Sequence, residues 1–455
     1  MAEYKKTPKI PTYNMHDLYN SIHSDIPTPK IEKQHQLNPE KKNILSEPEI
    51  IFNYYSQLSA FWQEGDFLNL TNMFHEFDII NYDPSFKQFE IACLAIQTFQ
   101  TSDNPLMLID LLKFLKKLLL SDIQYIRDLM EVGFLEPLYS VHKDIGSLDC
   151  IIETLRCATI ISKTDIELRN FVFSIFQTSF TNLELFNKTE VRNEVLELIL
   201  SYLDYEICPE MFTKIASYIF SLSTKPNKHL YEKLSLSLSL LSLYPPFPDF
   251  FQSLEQTNLF EYLLADERRD VLICSAFACS NVCEKIPIRN LYLQASLVKL
   301  LCYEDDKVIF YACDALTLMI FQTNAMIFPE LRNTMIDKLL EIYKDLPFQT
   351  KNGVFHAISS FYMTFQDLIP DAIENHNLLD ILFDMLDMEN INSIEALVIL
   401  DAIFHNNVFL GTMSVFDIFM DSGEMENVHH LLNLDIVGSD YVKWFLTLYD
   451  SVIEE

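Results

Sequence analysis

Residues 297–319 read LVKLLCYEDDKVIFYACDALTLM: a leucine-rich helix end, an acidic break and a second apolar helix. In the second part Val308, Ala312, Ala315 and Met319 fall at spacings of 4, 3 and 4, which places them on one helical face. The arrangement recurs upstream. Leu263-Leu264 aligns with Leu300-Leu301 at an offset of 37, and Glu267, Val271 and Ala278 then meet Glu304, Val308 and Ala315. Downstream, an offset of 45 aligns Ala312, Ala357 and Ala402, with Phe310, Phe355 and Leu400 beside them. Phe212, Ala216 and Ile219 make a similar face, as do Ile151, Leu155 and Ala158. An alanine in mid-face lets neighbouring helices approach closely. Recurrence at this length marks stacked helical repeats, each burying its apolar face only against its neighbours.

Composition agrees. The chain has 455 residues, more than one hydrophobic core usually holds, and 49% of them are hydrophobic. Only 7 are Gly, which argues against sandwiches, Rossmann units and phosphate-binding loops, all of which need Gly where the backbone turns tightly. The nearest glycine pairs, Gly411 with Gly423 and Gly133 with Gly146, are too far apart for a P-loop or a nucleophile elbow. The 9 cysteines are scattered, with Cys93, Cys157, Cys274, Cys279, Cys302 and Cys313 in apolar helical contexts. Lys5 and Lys6 lead into Pro-containing polar sequence rather than an apolar leader. Reduced thiols in the cytoplasm, or the nucleus, are the expectation. Cys274, Cys279 and Cys283 lack metal-ligand spacing, and His429-His430 beside Glu424 and Glu426 lacks the H-E-x-x-H pattern. The reading is therefore of a chain that is not an enzyme, with no catalytic residues, no metal and no cofactor.

The formal net charge is −32. Residues 1–48 hold 7 of the 33 basic residues and 6 of the 65 acidic ones, so 26 basic and 59 acidic residues remain for the rest. Such a surface repels a phosphate backbone and attracts basic peptides. The partner expected is a protein or extended peptide of basic character, without direct nucleic-acid binding. Val308 to Phe328 has the length of a membrane span but contains Asp314 and the polar break Gln322-Thr323-Asn324. A buried helix ending near Phe321 explains it better, so no membrane insertion is expected.

Residues 1–48 contain six of the 18 prolines and no sustained apolar period, so they read as a flexible, disordered tail. Met15 to Ile22 form a short amphipathic island within it, a candidate docking peptide. From Glu49 to Glu455, helical segments alternate with short polar breaks. Ser121-Asp122-Ile123-Gln124 and Thr164-Asp165-Ile166-Glu167 read as capping boxes; Asn104-Pro105 and Asp83-Pro84 place a cap before a first-turn proline. Strand signals are nearly absent. The alternation in Ser235 to Leu240 lacks flanking turn chemistry and reads as helix.

Residues 123–138, IQYIRDLMEVGFLEPL, resemble the armadillo pattern of a short first helix, a glycine turn and a second helix, with a third expected from Ser147 to Ile161. Leu297 to Leu301 followed by Asp306, Val308, Ala312, Ala315 and Leu316 is similar to the same repeat. Gly133 has few counterparts, so HEAT-like helix pairs remain open elsewhere. The resemblance implies an all-α, armadillo/HEAT-like right-handed α-solenoid of about eight or nine units over residues 49–455. Its implied function is that of a binding scaffold or adaptor holding its partner in a concave groove lined by third helices. Polar residues on that recurrent helix are the candidates: Arg156, Asn281, Asp314, His356 and Asp401. Phe277-Ala278-Cys279-Ser280-Asn281 also resembles the Trp-x-x-x-Asn motif of importin-alpha nuclear carriers, with Phe277 in the Trp position. That resemblance implies an alternative, a divergent carrier gripping a basic peptide through Phe277 and Asn281.

Overall fold

The computed structural model describes residues 48–453 except 77–87, 103, 122, 145–146, 181–187, 205, 225, 245–247, 287–289, 323–327, 389, 407 and 433–438. Residues 1–47, with the Met15–Ile22 island, lie outside the described residues, as do Asp83-Pro84, Asp122 and Thr323-Asn324. Pro48, counted above with the tail, is the first helical residue. The described chain is all-helical apart from one small hairpin, and it forms two compact units, divided between Leu241 and Ser242.

The first unit contains α1 (Pro48–Glu64), α2 (Phe67–Glu76), α3 (Gln88–Thr101), α4 (Pro105–Ser121), α5 (Ile123–Glu131), α6 (Leu135–Asp144), α7 (Leu148–Ser162), α8 (Ile166–Phe176), α9 (Thr189–Leu203), α10 (Pro209–Ser223) and α11 (Tyr231–Ser242, whose last residue opens the second unit). Helices α4, α7 and α9 pack successively against one another. Asn104 caps α4, accepting from the Leu106 amide at 3.0 Å, with Pro105 first in the helix as expected. The cap of α8 is Asp165, not Thr164: Asp165 accepts from the Leu168 amide at 2.9 Å. Its fourth-position partner is then Leu168, so the capping box is not formed. Ser235, Ser237 and Ser239 lie buried in α11, each returning its hydroxyl to a carbonyl of its own preceding turn. The period-two alternation is thus a helix packed on more than one side, not a strand.

The second unit contains α12 (Pro248–Glu255), α13 (Leu259–Leu264), α14 (Arg269–Lys285), α15 (Leu291–Leu300), α16 (Asp306–Gln322), α17 (Pro329–Tyr343), α18 (Phe348–Thr364), α19 (Ile369–Asn375), α20 (Leu378–Asp387), α21 (Ile391–His405), the strands β1 (Phe409–Leu410) and β2 (Met413–Ser414), and α22 (Val415–Ser422), α23 (Glu424–Leu431) and α24 (Ser439–Ile453). A row of long helices runs α14, α16, α18, α21, α24, each packed on the next. Their first residues lie 37, 42, 43 and 48 positions apart, so the 37-residue offset holds, whereas the 45-residue offset overshoots the steps of 42 and 43 between the helices that it aligned. Ala312 and Ala357 are fully buried, whereas Ala402 is only half-buried. Helix α14 is buried almost all round, which its Cys, Ser and Ala positions permit by letting neighbouring backbones come close. Gly353 serves the same end in α18: a Cβ there would stand 2.8 Å from a Phe310 ring carbon of α16.

Short helices turn into the row through a left-handed residue. Gly133 (φ +77°) stands between α5 and α6, before α7, as the 123–138 pattern implied. Its counterparts are Asn258 (φ +55°) before α13, Asn377 (φ +54°) before α20 and Gly423 (φ +84°) before α23. Asn, unlike most side chains, tolerates this region. Three-helix units therefore occur together with simple pairs such as α15–α16 and α17–α18. The hairpin was not expected: Phe409 pairs with Ser414 and Leu410 with Met413 across Gly411, whose φ of +65° makes the tight turn. Among the described residues no helix is long and apolar enough to cross a membrane, and α16 ends at Gln322.

Candidate functional site

The polar side chains of the long helices reach sideways, each into the next helix of its row. In the first unit, Arg156 on α7 donates to Glu153 at 2.8 Å and to Glu194 of α9 at 3.0 Å. Glu153 also takes the ammonium of Lys116 from α4. Burial alone would raise the Glu153 carboxyl, but Lys116 and Arg156 outweigh it and hold it below the usual carboxylate range. A parallel tie joins Lys163, just after α7, to Glu197 of α9 and on to Lys233 of α11. Both ties balance charge between helices, a structural role that leaves Arg156 half-exposed.

In the second unit, Phe277 on α14 is 7% exposed and packs edge-on against Tyr311 of α16 at 5.2 Å. It offers no open ring face to a lysine stem. Asn281, one turn on, donates to the Ser242 hydroxyl at 3.1 Å. The carrier-like grip required both groups exposed, so the geometry differs from that expectation at Phe277. The cause is the burial of α14 on more than one side.

Asp314 on α16 accepts from Ser280 of α14. His356 on α18 meets Glu395 of α21 at 2.7 Å through Nδ1, and Ser359 donates to the other Glu395 oxygen. Asp401 on α21 accepts from the Tyr449 hydroxyl of α24 at 2.6 Å and faces His405 Nδ1 at 3.1 Å. Asp314 and His356 are brought within electrostatic reach of each other; Asp401 lies in a separate cluster, and Arg156 in the other unit. Sequence reading missed the partners Ser280, Ser359, Glu395 and Tyr449. Their signal is separation: Glu395 lies 39 residues from His356 and Asp314 lies 34 from Ser280, about one repeat in each case.

Two groups of this row have shifted titrations. Burial would lower His356, but the hydrogen bond and charge of Glu395, then the charge of Asp314, outweigh it and raise it above 6.5. Burial raises Asp314 above 3.8; the Ser280 hydrogen bond and His356 oppose this, and Glu284 of α14 adds to it. A raised histidine stabilises the fold fully below its unfolded value and loses that contribution as pH rises through its folded value. Ionised Asp314 works in the same direction, against the fold at higher pH. The urea midpoint of the second unit is therefore expected to fall between about pH 6 and pH 8. His356→Gln should flatten that fall, and an unchanged profile in the variant would show that the imidazole does not carry it.

The charge is also uneven in a way the whole-chain total hides. Residues 352–455 contain 18 Asp and Glu and a single basic residue, Lys443. Asp314, Glu395 and Asp401 are half-buried along the row, and Glu374, Asp380, Asp421 and Glu426 are exposed beyond it. Cys274, Cys279 and Cys283 are buried, as their apolar spacing implied; Cys302, in the turn after α15, is exposed instead. Among the described residues no three His, Cys, Asp or Glu converge as a metal site.

No family model matches the chain, and no curated protein matches it in sequence. Solved structures do share its fold. One, described only as the crystal structure of an engineered protein, is 14% identical, aligns over 80% of this chain and 99% of its own, and superposes with a TM-score of 0.56. At that identity the likeness concerns the fold alone.

Proposed function

We propose that this chain is a non-enzymatic binding protein, an armadillo/HEAT-like right-handed α-solenoid that holds a basic partner protein or extended peptide against its rows of long helices. The observation that carries the proposal is the acidity of residues 352–455, with 18 acidic residues to one lysine. A field of one sign concentrates counter-charged ligands and speeds their encounter, and it disfavours nucleic acid. Single exposed ion pairs contribute only about 0–1 kcal/mol each, so binding of this kind uses many of them and weakens with salt. The mixture of three-helix units and helix pairs supports the solenoid reading, and nine free cysteines suit a reducing compartment, the cytoplasm or nucleus.

The test is affinity capture at low and high salt, read by mass spectrometry, beside a variant carrying Glu374→Gln, Asp380→Asn, Asp421→Asn and Glu426→Gln. These four side chains are exposed, so the variant should fold normally. Basic partners are expected to be retained at low salt, released at high salt and weakened by the variant. Partners indifferent to salt and to the four substitutions would overturn the proposal.

A further inference from the structure

The last helix of the second row is apolar on two faces. Val442, Phe445, Leu446 and Tyr449 of α24 are buried, with Phe445 and Tyr449 packed among aromatic rings of α21 and α22. A second stripe, at spacings of 3 and 4, carries Tyr441, Trp444 and Leu448. Trp444 is 45% exposed and Leu448 38%, and the Tyr441 ring lies against the Trp444 ring at 5.2 Å. Tyr441 itself is half-buried. Trp and Tyr are residue types that anchor protein interfaces, because they bury much area at small entropic cost.

Charge specifies what suits this face. Residues 352–455 hold 18 acidic residues, and Lys443, the one basic residue after Lys351, lies beside Asp440 at 3.3 Å. We infer that this face of α24 seats an amphipathic helix supplied by a partner, apolar along one side and basic along its flanks. The mode is that of a helix docking through residues at i, i+3, i+4 and i+7. It rests on the proposed binding function for the sign of the charge but uses a different surface, the end helix rather than the rows of carboxylates.

The chain has two tryptophans, Trp62 and Trp444, so Trp62→Phe leaves Trp444 as the sole indole reporter. Three synthetic peptides test the site in the full chain: a Leu/Lys peptide with Leu at helical spacing, the same Leu pattern with Glu in place of Lys, and an extended Lys/Gly/Ser peptide without apolar residues. The Leu/Lys peptide is expected to shift Trp444 emission to the blue and protect it from acrylamide, while the Leu/Glu peptide leaves it unchanged. The extended peptide should bind through the acidic rows without moving Trp444. With a labelled Leu/Lys peptide, Trp444→Ser/Leu448→Ser in the otherwise native chain should weaken binding at least about tenfold, the loss of two buried anchors. The inference is overturned if Trp444 does not respond to the Leu/Lys peptide or the double variant binds it unchanged. It is equally overturned if Trp444 shifts with protein concentration alone, which would make the occupant a second copy. Failure of the extended peptide to bind would instead count against the broader function.

Discussion

Arg169→Met is expected to destabilise the first unit by about 3 kcal/mol. Arg169 sits on α8 and is 2% exposed, the largest of the fully buried side chains. Its guanidinium donates to the Tyr202 carbonyl at 3.3 Å and to the Glu206 carbonyl at 3.0 Å. Tyr202 is in the last turn of α9, where carbonyls have no intrahelical donor. The positive charge therefore closes the negative end of that helix dipole from inside the core. It also acts on Asp204, the residue after α9, whose carboxyl is raised by burial and drawn partly back by Lys163 and Arg169. Methionine keeps most of the stem volume, so the variant isolates the lost donors and charge from cavity formation. Arg169→Lys should fall between the two, since one ammonium cannot reproduce the planar fork. Urea denaturation read by far-UV circular dichroism measures the loss, and hydrogen exchange over Thr189–Leu203 locates it. A cost below about 1 kcal/mol would mean that the carbonyls find other donors when the guanidinium is gone.

Much of this architecture was legible before any coordinate, because a repeat array writes its core as recurring local pattern. The 37-residue offset located α14 and α16, and the Gly133 turn located α5, α6 and α7. What escaped was chemistry that depends on neighbours a whole repeat away. Arg169 reads as an ordinary charged position on a helix, and only the fold brings the end of α9 over it. Asn258 and Asn377 read as polar loop residues, although their positive φ does the work of Gly133. The candidate row was found by helix position, but position does not reveal that Asp314, His356 and Asp401 are each tied to another helix. Phe277 shows the opposite error. Its spacing to Asn281 copied a motif, while its burial is set by Tyr311 on the next helix.

Phe404→Ala should have the other large effect, about 3–5 kcal/mol on the second unit, the usual cost of removing a buried ring. Phe404 is the common member of an aromatic cluster: its centroid lies 5.2 Å from Phe416, 5.4 Å from Phe419, 5.3 Å from Tyr449 and 6.2 Å from Phe445. Those rings belong to α22 and α24, so one side chain of α21 joins three helices. Ring pairs such as these, edge-on to Phe416 and Tyr449 and tilted to Phe419 and Phe445, add to the burial term, and Ala removes all four contacts at once. The polar tie from Tyr449 to Asp401 would then have to hold α24 without its apolar support. Exposure of peptide bonds in 439–453 to protease, and faster amide exchange there, are the expected readouts. Phe404→Leu preserves an apolar filler and should cost roughly 1–1.5 kcal/mol. The pair of variants separates two roles of the helix. If the Trp444 face seats a partner helix, Phe404→Leu should keep the Leu/Lys peptide response while Phe404→Ala weakens it, because a docking surface is only as firm as the packing beneath it. Protease resistance of 439–453 unchanged in Phe404→Ala would show that α24 is anchored by other contacts.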